Sequence, residues 1–326
     1  MANLETRYLN LNLKNPIIVG SSGLTKTADK IADCEAAGAG AVVVKSLFEE
    51  VLAQEDYGIS ESASMHTEAI DYLRSELELQ YEPQRYCDLI SEAKSRVEIP
   101  VIASINCVSA KWWPSFARKI EAAGADALEL NVFKTATDVE EDSADLEQLY
   151  FDILTQVKNE INIPVALKIG SYFTALPQFA SRLTEKGVDG LVLFNRFTEA
   201  DIDIEKLEIK TTFSFSTSNE MNRTLRWIAI LSGQIGCDFS ATTGVKSAKD
   251  IIKLILAGAS TVQIASLFYQ KGLSTIPVLI TGLKKWMDQH QFESIADFQG
   301  NLNFTTTVSP ETYLRVQFME KIRGVE

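Results

Sequence analysis

Short apolar runs alternate with amphipathic segments along the chain, and this alternation carries the main structural information in the sequence. Runs rich in β-branched residues are typical of buried strands, whereas apolar residues repeated every three or four positions are typical of helices. The strands predicted in this way are Pro16–Ser22, Ala41–Ser46, Val101–Asn106, Ala127–Val132, Val165–Gly170, Gly190–Asn195, Asp238–Gly244 and Thr261–Ser266. The helices predicted after them are Thr27–Ala37, Gln84–Val97, Lys111–Ala123, Ala144–Ile161, Leu176–Lys186, Asn219–Leu231, Ala248–Ala257 and Ile276–Gln289.

The junctions between helix and strand repeat a common phrase. AAGAGAVVVKS, AAGADALELN, EKGVDGLVLFN and LAGASTVQIAS each place a helix-ending glycine before a buried strand. Eight right-handed βα units close into a (β/α)8 TIM barrel, and a doubly wound open sheet is the competing topology. No linker divides the chain, so residues 1–326 are interpreted as one barrel domain, with 301–326 as a C-terminal tail that forms a helix over the barrel exterior.

Composition and charge narrow the range of functions. The 326 residues are 46% apolar and 23% charged, a globular balance with enough chain for a large core. With 31 Lys and Arg against 44 Asp and Glu, the net charge of -13 argues against nucleic-acid and anionic-membrane partners. No apolar run has the length of a spanning helix, and the N-terminus lacks the pattern of a signal peptide. The expected location is therefore the cytoplasm.

Cysteine and histidine usage disfavours a metal centre. The four cysteines (Cys34, Cys87, Cys107 and Cys237) are scattered without a CxxC pair, and the chain has only two histidines. A metal-independent mechanism is expected.

Two long segments without periodicity, Leu47–Pro83 and Arg196–Ser218, follow predicted strands. Both are expected at the C-terminal face of the barrel, where active sites of this fold lie. Within the second segment, Lys210–Thr217 alternates polar and apolar residues and is interpreted as a hairpin arm.

Polar residues at the predicted strand ends form a coherent candidate site. Two strand lysines are costly inside a barrel unless they are paired or bind a polar ligand. For Lys168 the alternative to a functional role is an internal salt bridge with Glu129. Asparagine offers both a donor and an acceptor, which suits the edge of a heterocycle. The strand-end residues are Ser22, Lys45, Ser46, Asn106, Asn131, Lys168 and Asn195.

The last two βα loops, SATTGVKSAKD and QIASLFYQKG, have the composition of a phosphate site. Barrel enzymes often hold a phosphate with the loops after strands 7 and 8. Backbone amides and hydroxyls are available at Thr242, Thr243, Gly244, Ala265 and Ser266.

The run SATTGVKSAKDIIKLILAGASTVQIAS resembles the C-terminal FMN-phosphate region of the dihydroorotate dehydrogenase family. NPIIVGSSG resembles that family's first strand, and VVVKS, ALELN, ALKIG and LVLFN follow in the family's order. The resemblance spans nearly the whole chain and implies a flavoprotein of pyrimidine biosynthesis. It implies that Ser21, Ser22 and Gly23 line FMN, that Lys45, Ser46, Asn106 and Asn131 contact it, that Lys168 lies beside its N1/O2 edge, and that Thr243, Gly244, Ala265 and Ser266 hold its phosphate.

The resemblance also implies which residues bind the substrate, and at some of these positions the chain differs from the family. Asn131 and Asn195 are expected to bind substrate. Arg196 stands where the family has Ser or Thr, and it is expected to bind substrate through a carboxylate, with a simply solvated side chain as the alternative. Where the family has N-x-S-C-P-N, this chain has NVFKTA, which places Lys134 near the position of the catalytic base and Ala136 at the second asparagine. Lys134 and Lys45 are the expected catalytic residues, and Thr135 and Cys107 are alternative bases. The family's N-S-M-G-L-P-N loop is not evident.

These features predict an FMN-dependent oxidoreductase that acts on dihydroorotate or a related small carboxylated substrate. The alternatives are a phosphosugar lyase or aldolase with a Schiff base on Lys168, and a flavoprotein with altered catalysis. Barrels of the resembling class often dimerise, so a homodimer is the assembly that the resemblance suggests.

Overall fold

A closed ring of parallel strands forms the centre of the computed structural model, which describes residues 2–48, 83–107, 113–196, 200–211 and 214–314. The last barrel strand pairs in parallel with the first, and the second with the third, so the sheet closes. A two-residue strand, β5 (Leu47–Phe48), pairs in parallel with the third barrel strand, further along it than the residues that pair with the second. The barrel strands are β3 (Ile17–Val19), β4 (Ala41–Val43), β6 (Val101–Cys107), β7 (Ala127–Val132), β8 (Val165–Ile169), β9 (Gly190–Leu193), β12 (Asp238–Thr242) and β13 (Thr261–Ile264).

Helices surround the ring, and their apolar faces pack on the outer side of the strands. None of the helices in the described ranges has the length and apolar run that a membrane crossing needs. The helices are α1 (Ala28–Ala36), α2 (Pro83–Arg96), α3 (Trp113–Ala122), α4 (Ser143–Lys158), α5 (Leu176–Glu185), α6 (Met221–Leu231), α7 (Ala248–Ala257), α8 (Ser266–Lys271) and α9 (Thr275–His290).

The inside of the barrel is apolar at one end and polar at the other. A hairpin of β1 (Thr6–Tyr8) and β2 (Leu11–Leu13) contributes fully buried apolar residues to an interior cluster with Ile18, Val43 and Val192. Because side chains alternate along a strand, residues two apart share a face. Starting from Ala127 and Ala166 in this cluster, the side chains that share the inward face are Ala127, Glu129 and Asn131 on β7, and Ala166 and Lys168 on β8. The polar end of the interior is therefore the C-terminal end of the strands.

The structure confirms the predicted (β/α)8 barrel, and the open doubly wound sheet is excluded by the closure. The helices agree with the predicted ranges to within a few residues. Several strands end earlier than predicted, because polar strand-end residues such as Ser22 and Ser46 turn out of the ladder into loops.

Two local predictions need correction. The hairpin arm lies upstream of Lys210–Thr217: β10 (Ala200–Asp203) pairs antiparallel with β11 (Glu208–Thr211), and residues 212–213 lie outside the described residues. The tail after Asn301 forms turns and a short 3-10 helix, Pro310–Tyr313, rather than an α-helix as far as residue 314. Residues 315–326, and most of the predicted loop Leu47–Pro83 (49–82), also lie outside the described residues.

Gly40 precedes β4 at a point where two backbone segments meet. Its amide donates to the Ile17 carbonyl at 2.8 Å, and a Cβ at this position would lie 2.1 Å from the Asn15 carbonyl oxygen. Gly40→Ala should therefore lower the free energy of unfolding by about 3 kcal/mol, because the backbone must move apart. Gly236→Ala is the matched control, since nothing lies within 4 Å of a Cβ there. Chemical denaturation measures both, and equal midpoints for the two variants would contradict the expected crowding at Gly40.

Candidate active site

Three serine hydroxyls connect the first three barrel strands. Ser21 Oγ lies 2.9 Å from Ser46 Oγ and accepts from the Ser46 amide at 2.9 Å, and Ser46 Oγ lies 2.8 Å from Ser104 Oγ. Tyr86 on α2 fixes the third strand, because its hydroxyl accepts from the Ser104 amide and donates to the Ser104 carbonyl, both at 2.8 Å. This chain of hydroxyls fixes the rim next to Lys45, whose side chain is half-buried.

An amide pair occupies the neighbouring part of the rim. Asn195 Nδ2 donates to Asn131 Oδ1 at 2.5 Å and lies 3.4 Å from the Lys168 carbonyl. In the strand ladder Asn131 is the register partner of both Asn106 and Lys168. The barrel therefore brings four of the predicted strand-end residues together, and their side chains supply donors, acceptors and one positive charge.

A buried carboxylate lies below the Lys168 side chain. Glu129 is 1% exposed, and its Oε1 lies 3.8 Å from Lys168 Nζ. Its Oε2 accepts from Gln263 Nε2 at 2.6 Å. Within the described part of the chain, Glu129 Oε1 and Gln263 Oε1 have no hydrogen-bond partner. The salt bridge that was the alternative to a functional role for Lys168 is thus present, and Gln263 Oε1 is the acceptor that it leaves free at the polar end of the barrel.

The two loops after β12 and β13 form a small cavity of about 140 Å³ that we call the cradle. Gly244 has a φ of +82°, and a Cβ there would lie 2.6 Å from the Met221 amide nitrogen, so only glycine fits. The cavity has room for a single phosphate group, and backbone amides and hydroxyls surround it. Its polar lining includes Arg196, Ser216, Thr242, Thr243, Gly244, Gln263 and Ser266.

Ser216 closes the cradle from the loop after β11. The Gly244 amide donates to Ser216 Oγ at 3.2 Å, and the Ser216 amide donates to Ser266 Oγ at 3.3 Å. Ser216 is 5% exposed, and its two hydrogen bonds connect the loop after β12 with the loop after β13. The sequence analysis did not identify this residue, because its contacts depend on a loop that arrives from far away in the chain.

The guanidinium group of Arg196 forms hydrogen bonds with other residues of the protein and is not free on the substrate side. Its Nε donates to Glu220 Oε1 at 2.7 Å, and its two terminal nitrogens donate to the Ser214 carbonyl and hydroxyl at 2.5 and 3.1 Å. Arg196 also lines the cradle. Because its guanidinium group is bonded to Glu220 and Ser214, the predicted pairing with a substrate carboxylate gains no support from the geometry.

Lys134 follows β7 and is 42% exposed. It forms an ion pair with Glu141 and lines a cavity of about 560 Å³ that has aromatic walls from Tyr150, Tyr172 and Phe173. Thr135 and Ala136 line the same cavity, whereas the Cys107 side chain lies outside the description. A lysine must be in its neutral form before it can act as a base. The base assignment stays a prediction.

The chain matches the protein-family model described as dihydroorotate dehydrogenase over residues 3–287. This match covers most of its length, so the chain belongs to the dihydroorotate dehydrogenase family, whose members are oxidoreductases. The family assignment made from the sequence is confirmed, and the phosphosugar lyase alternative is not favoured.

Named relatives align over most of their own lengths. The chain is 26% identical over 316 residues to the dihydroorotate dehydrogenase B (NAD(+)) catalytic subunit of Thermoplasma acidophilum, an alignment that covers 92% of this chain and 99% of that protein. It is 23% identical over 315 residues to the protein of the same name in Methanothermobacter thermautotrophicus, covering 91% and 97%. A putative dihydroorotate dehydrogenase A (fumarate) from Aeropyrum pernix is 27% identical over 222 residues, covering 65% and 70%.

Glu220 anchors the segment that closes the cradle, and its ionisation makes the anchor sensitive to pH. Burial alone would raise the pKa of Glu220, but hydrogen bonds from Thr217 and Arg196 together lower the pKa below its usual 4.5. A lowered carboxyl pKa stabilises the fold above the unfolded value, and this contribution disappears as the pH falls through the folded pKa.

We therefore expect Glu220→Gln to lower the melting temperature at neutral pH, and the difference from the unmodified protein to shrink below about pH 4.5. Thermal unfolding followed by circular dichroism from neutral to acid pH measures this. Glu205→Gln, a change in the exposed turn of the β10–β11 hairpin, is the control. A difference that persists unchanged in acid would contradict the assignment.

Proposed function

We propose that this chain is an FMN-dependent oxidoreductase that oxidises dihydroorotate. The observation that carries the proposal is the position of Lys168, which is the register partner of Asn131 in the Asn131–Asn195 amide pair and lies at the same end of the barrel as the cradle. This combination of a cation, neutral amides and a phosphate-sized cavity fits a flavin mononucleotide. The proposal also rests on family membership and on relatives named dihydroorotate dehydrogenase.

The residues present fit the cofactor. Gln263 lines the cradle, and its buried Oε1 has no hydrogen-bond partner within the described ranges, so this oxygen is available to a ligand donor. FMN, when bound, would accept a hydride from the substrate. The residues proposed to hold it are Ser21, Ser22, Gly23, Lys45, Ser46, Asn106, Asn131, Lys168, Thr243, Gly244, Ala265 and Ser266.

Each polar group on the rim has a distinct proposed task. Lys168 supplies a positive charge that stabilises negative charge developing on a neighbouring ring, and Glu129 holds that ammonium in position. Asn131 and Asn195 orient the substrate through their amides. Lys134, with Lys45 close to the reacting groups, is proposed to take the substrate proton, which requires Lys134 to leave Glu141. We assign Arg196 to the cradle side of this site.

The same proposal includes the domain organisation, the location and the oligomeric state of the enzyme. Residues 1–326 are taken as one FMN-binding barrel domain with 301–326 as its tail, acting on a small molecule in the cytoplasm as a homodimer. Sedimentation measurements on the purified protein test the dimer.

An absorbance spectrum before and after anaerobic addition of dihydroorotate tests the proposal directly. We expect flavin bands in the purified protein, and we expect dihydroorotate to bleach them because a hydride reduces the ring. Bands that persist would contradict dihydroorotate as the substrate and favour a flavoprotein with altered catalysis. A colourless protein that binds no added FMN would overturn the cofactor as well.

Lys134→Ala tests the assignment of the base. The variant should keep its flavin, because Lys134 lies outside the cradle, and should slow reduction by dihydroorotate about 100-fold, the usual scale for loss of general base catalysis. Glu141→Gln is the companion variant, because it releases Lys134 and should not slow the reaction. Stopped-flow absorbance measures both rates, and unchanged reduction in Lys134→Ala would remove this lysine from the mechanism.

A further inference from the structure

A second cleft lies outside the barrel, between α7 and α9. It has a volume of about 790 Å³. The two helices pack against each other, and a Cβ at Gly282 would lie 2.7 Å from the Ala248 Cβ. Because both of these residues line the cleft, the close crossing of the helices forms part of its wall. We call this space the lysine cleft.

Four lysines line the cleft, namely Lys246, Lys249, Lys271 and Lys285. The described lining contains no aspartate or glutamate. In the parts of the chain that the structure covers, none of the four ammonium groups takes part in an ion pair, although Lys246 Nζ donates to Gln270 Oε1 at 3.0 Å. Such a concentration of positive charge stands out in a chain with a net charge of -13. It makes the cleft complementary to an anion with more than one negative charge.

The electrostatics at Lys246 agree with this interpretation. Burial lowers the pKa of Lys246; the carboxylate of Glu220 acts to raise it, and the charges of Lys271 and Arg196 lower it further. Like charges therefore crowd this end of the cleft. An anion bound there would relieve the repulsion, which is a source of binding energy that the protein's own residues do not provide.

The wall between the lysines is apolar. Val278 is 67% exposed, an unusual exposure for a valine on a helix, and Leu279 and Ile252 lie buried beside it. Trp286 is half-buried and is fixed by an edge contact with Phe298, with ring centroids 5.1 Å apart. A rigid indole next to exposed aliphatic surface suits a flat, apolar ring on the ligand.

The lysine cleft is separate from the cradle. The two cavities share no lining residue in the described ranges, and they differ in size: about 140 Å³ for the cradle and about 790 Å³ for the cleft. The cradle has room for one phosphate group, whereas the cleft has room for several charged groups and a ring. A ligand in the cleft would therefore occupy a different cavity from the proposed FMN phosphate.

We propose that the lysine cleft binds a small polyanion that carries a planar ring, of the nucleoside polyphosphate class, at a site separate from the flavin. The lysines contact the phosphates, and the ring lies against Val278 and Trp286. The binding involves no covalent step.

Isothermal titration calorimetry on the purified protein with its flavin tests this proposal. ATP and UTP are the probes, at low ionic strength and without divalent cations, and inorganic triphosphate shows the part played by the ring. We expect one site per chain, tighter binding of at least one nucleotide than of triphosphate, and weakening by added salt. No binding by either nucleotide, or triphosphate binding as tightly as both, would overturn the proposal.

A matched pair of double variants locates the site. Lys249→Gln with Lys285→Gln should weaken nucleotide binding about ten-fold, because two charged contacts to phosphate are lost. Lys253→Gln with Lys284→Gln removes the same charge from the same two helices outside the cleft and should leave the affinity unchanged. Equal losses in both pairs would overturn the proposal. The flavin spectrum of each variant reports separately on the cradle, so failure here is distinguishable from failure of the proposed FMN site.

Discussion

The parallel pairing of β13 with β3 joins the two ends of the sheet, and the position of every candidate site residue depends on this closure. In a closed parallel barrel all strands run in one direction, so their C-terminal ends must meet at one rim. Residues as far apart in sequence as Ser21, Lys168 and Gly244 are thereby brought to the same end of the molecule. An open sheet with the same elements would spread them along an edge.

The two ends of the barrel interior differ in polarity: the apolar end contributes to stability, and the polar end contains the candidate site. The end covered by the β1–β2 hairpin is filled with apolar side chains and excludes water. The opposite end contains a carboxylate, an ammonium group and several amides, which cost desolvation energy and are tolerated because most of them pair with one another. Gln263 Oε1, which has no hydrogen-bond partner among the described residues, belongs to a residue that lines the proposed phosphate cavity.

Positive charge is concentrated on one side of an acidic molecule. Arg196 lines the cradle, and the lysines of the neighbouring cleft come from the loop after β12 (Lys246) and from the helices α7, α8 and α9 (Lys249, Lys271 and Lys285). Glu220 connects the two regions, because it bonds Arg196 and acts on the Lys246 charge. Both proposed anion sites thus lie in the last βα units, and the overall charge of the chain gives no sign of them.

The sequence by itself determined the barrel, the order of its elements, the family and the residues at the strand ends, because period, helix-ending glycines and strand-end polarity are local signals. The sequence identified Glu129 as a partner for Lys168. It did not identify the hydrogen bond from Gln263 to Glu129, because that bond depends on which strands face each other across the barrel. Only the tertiary structure turned Arg196 towards Glu220, brought Ser216 into the cradle and placed Lys134 on Glu141. These contacts join loops whose paths are set by packing over long sequence separations, and no local pattern encodes such a path.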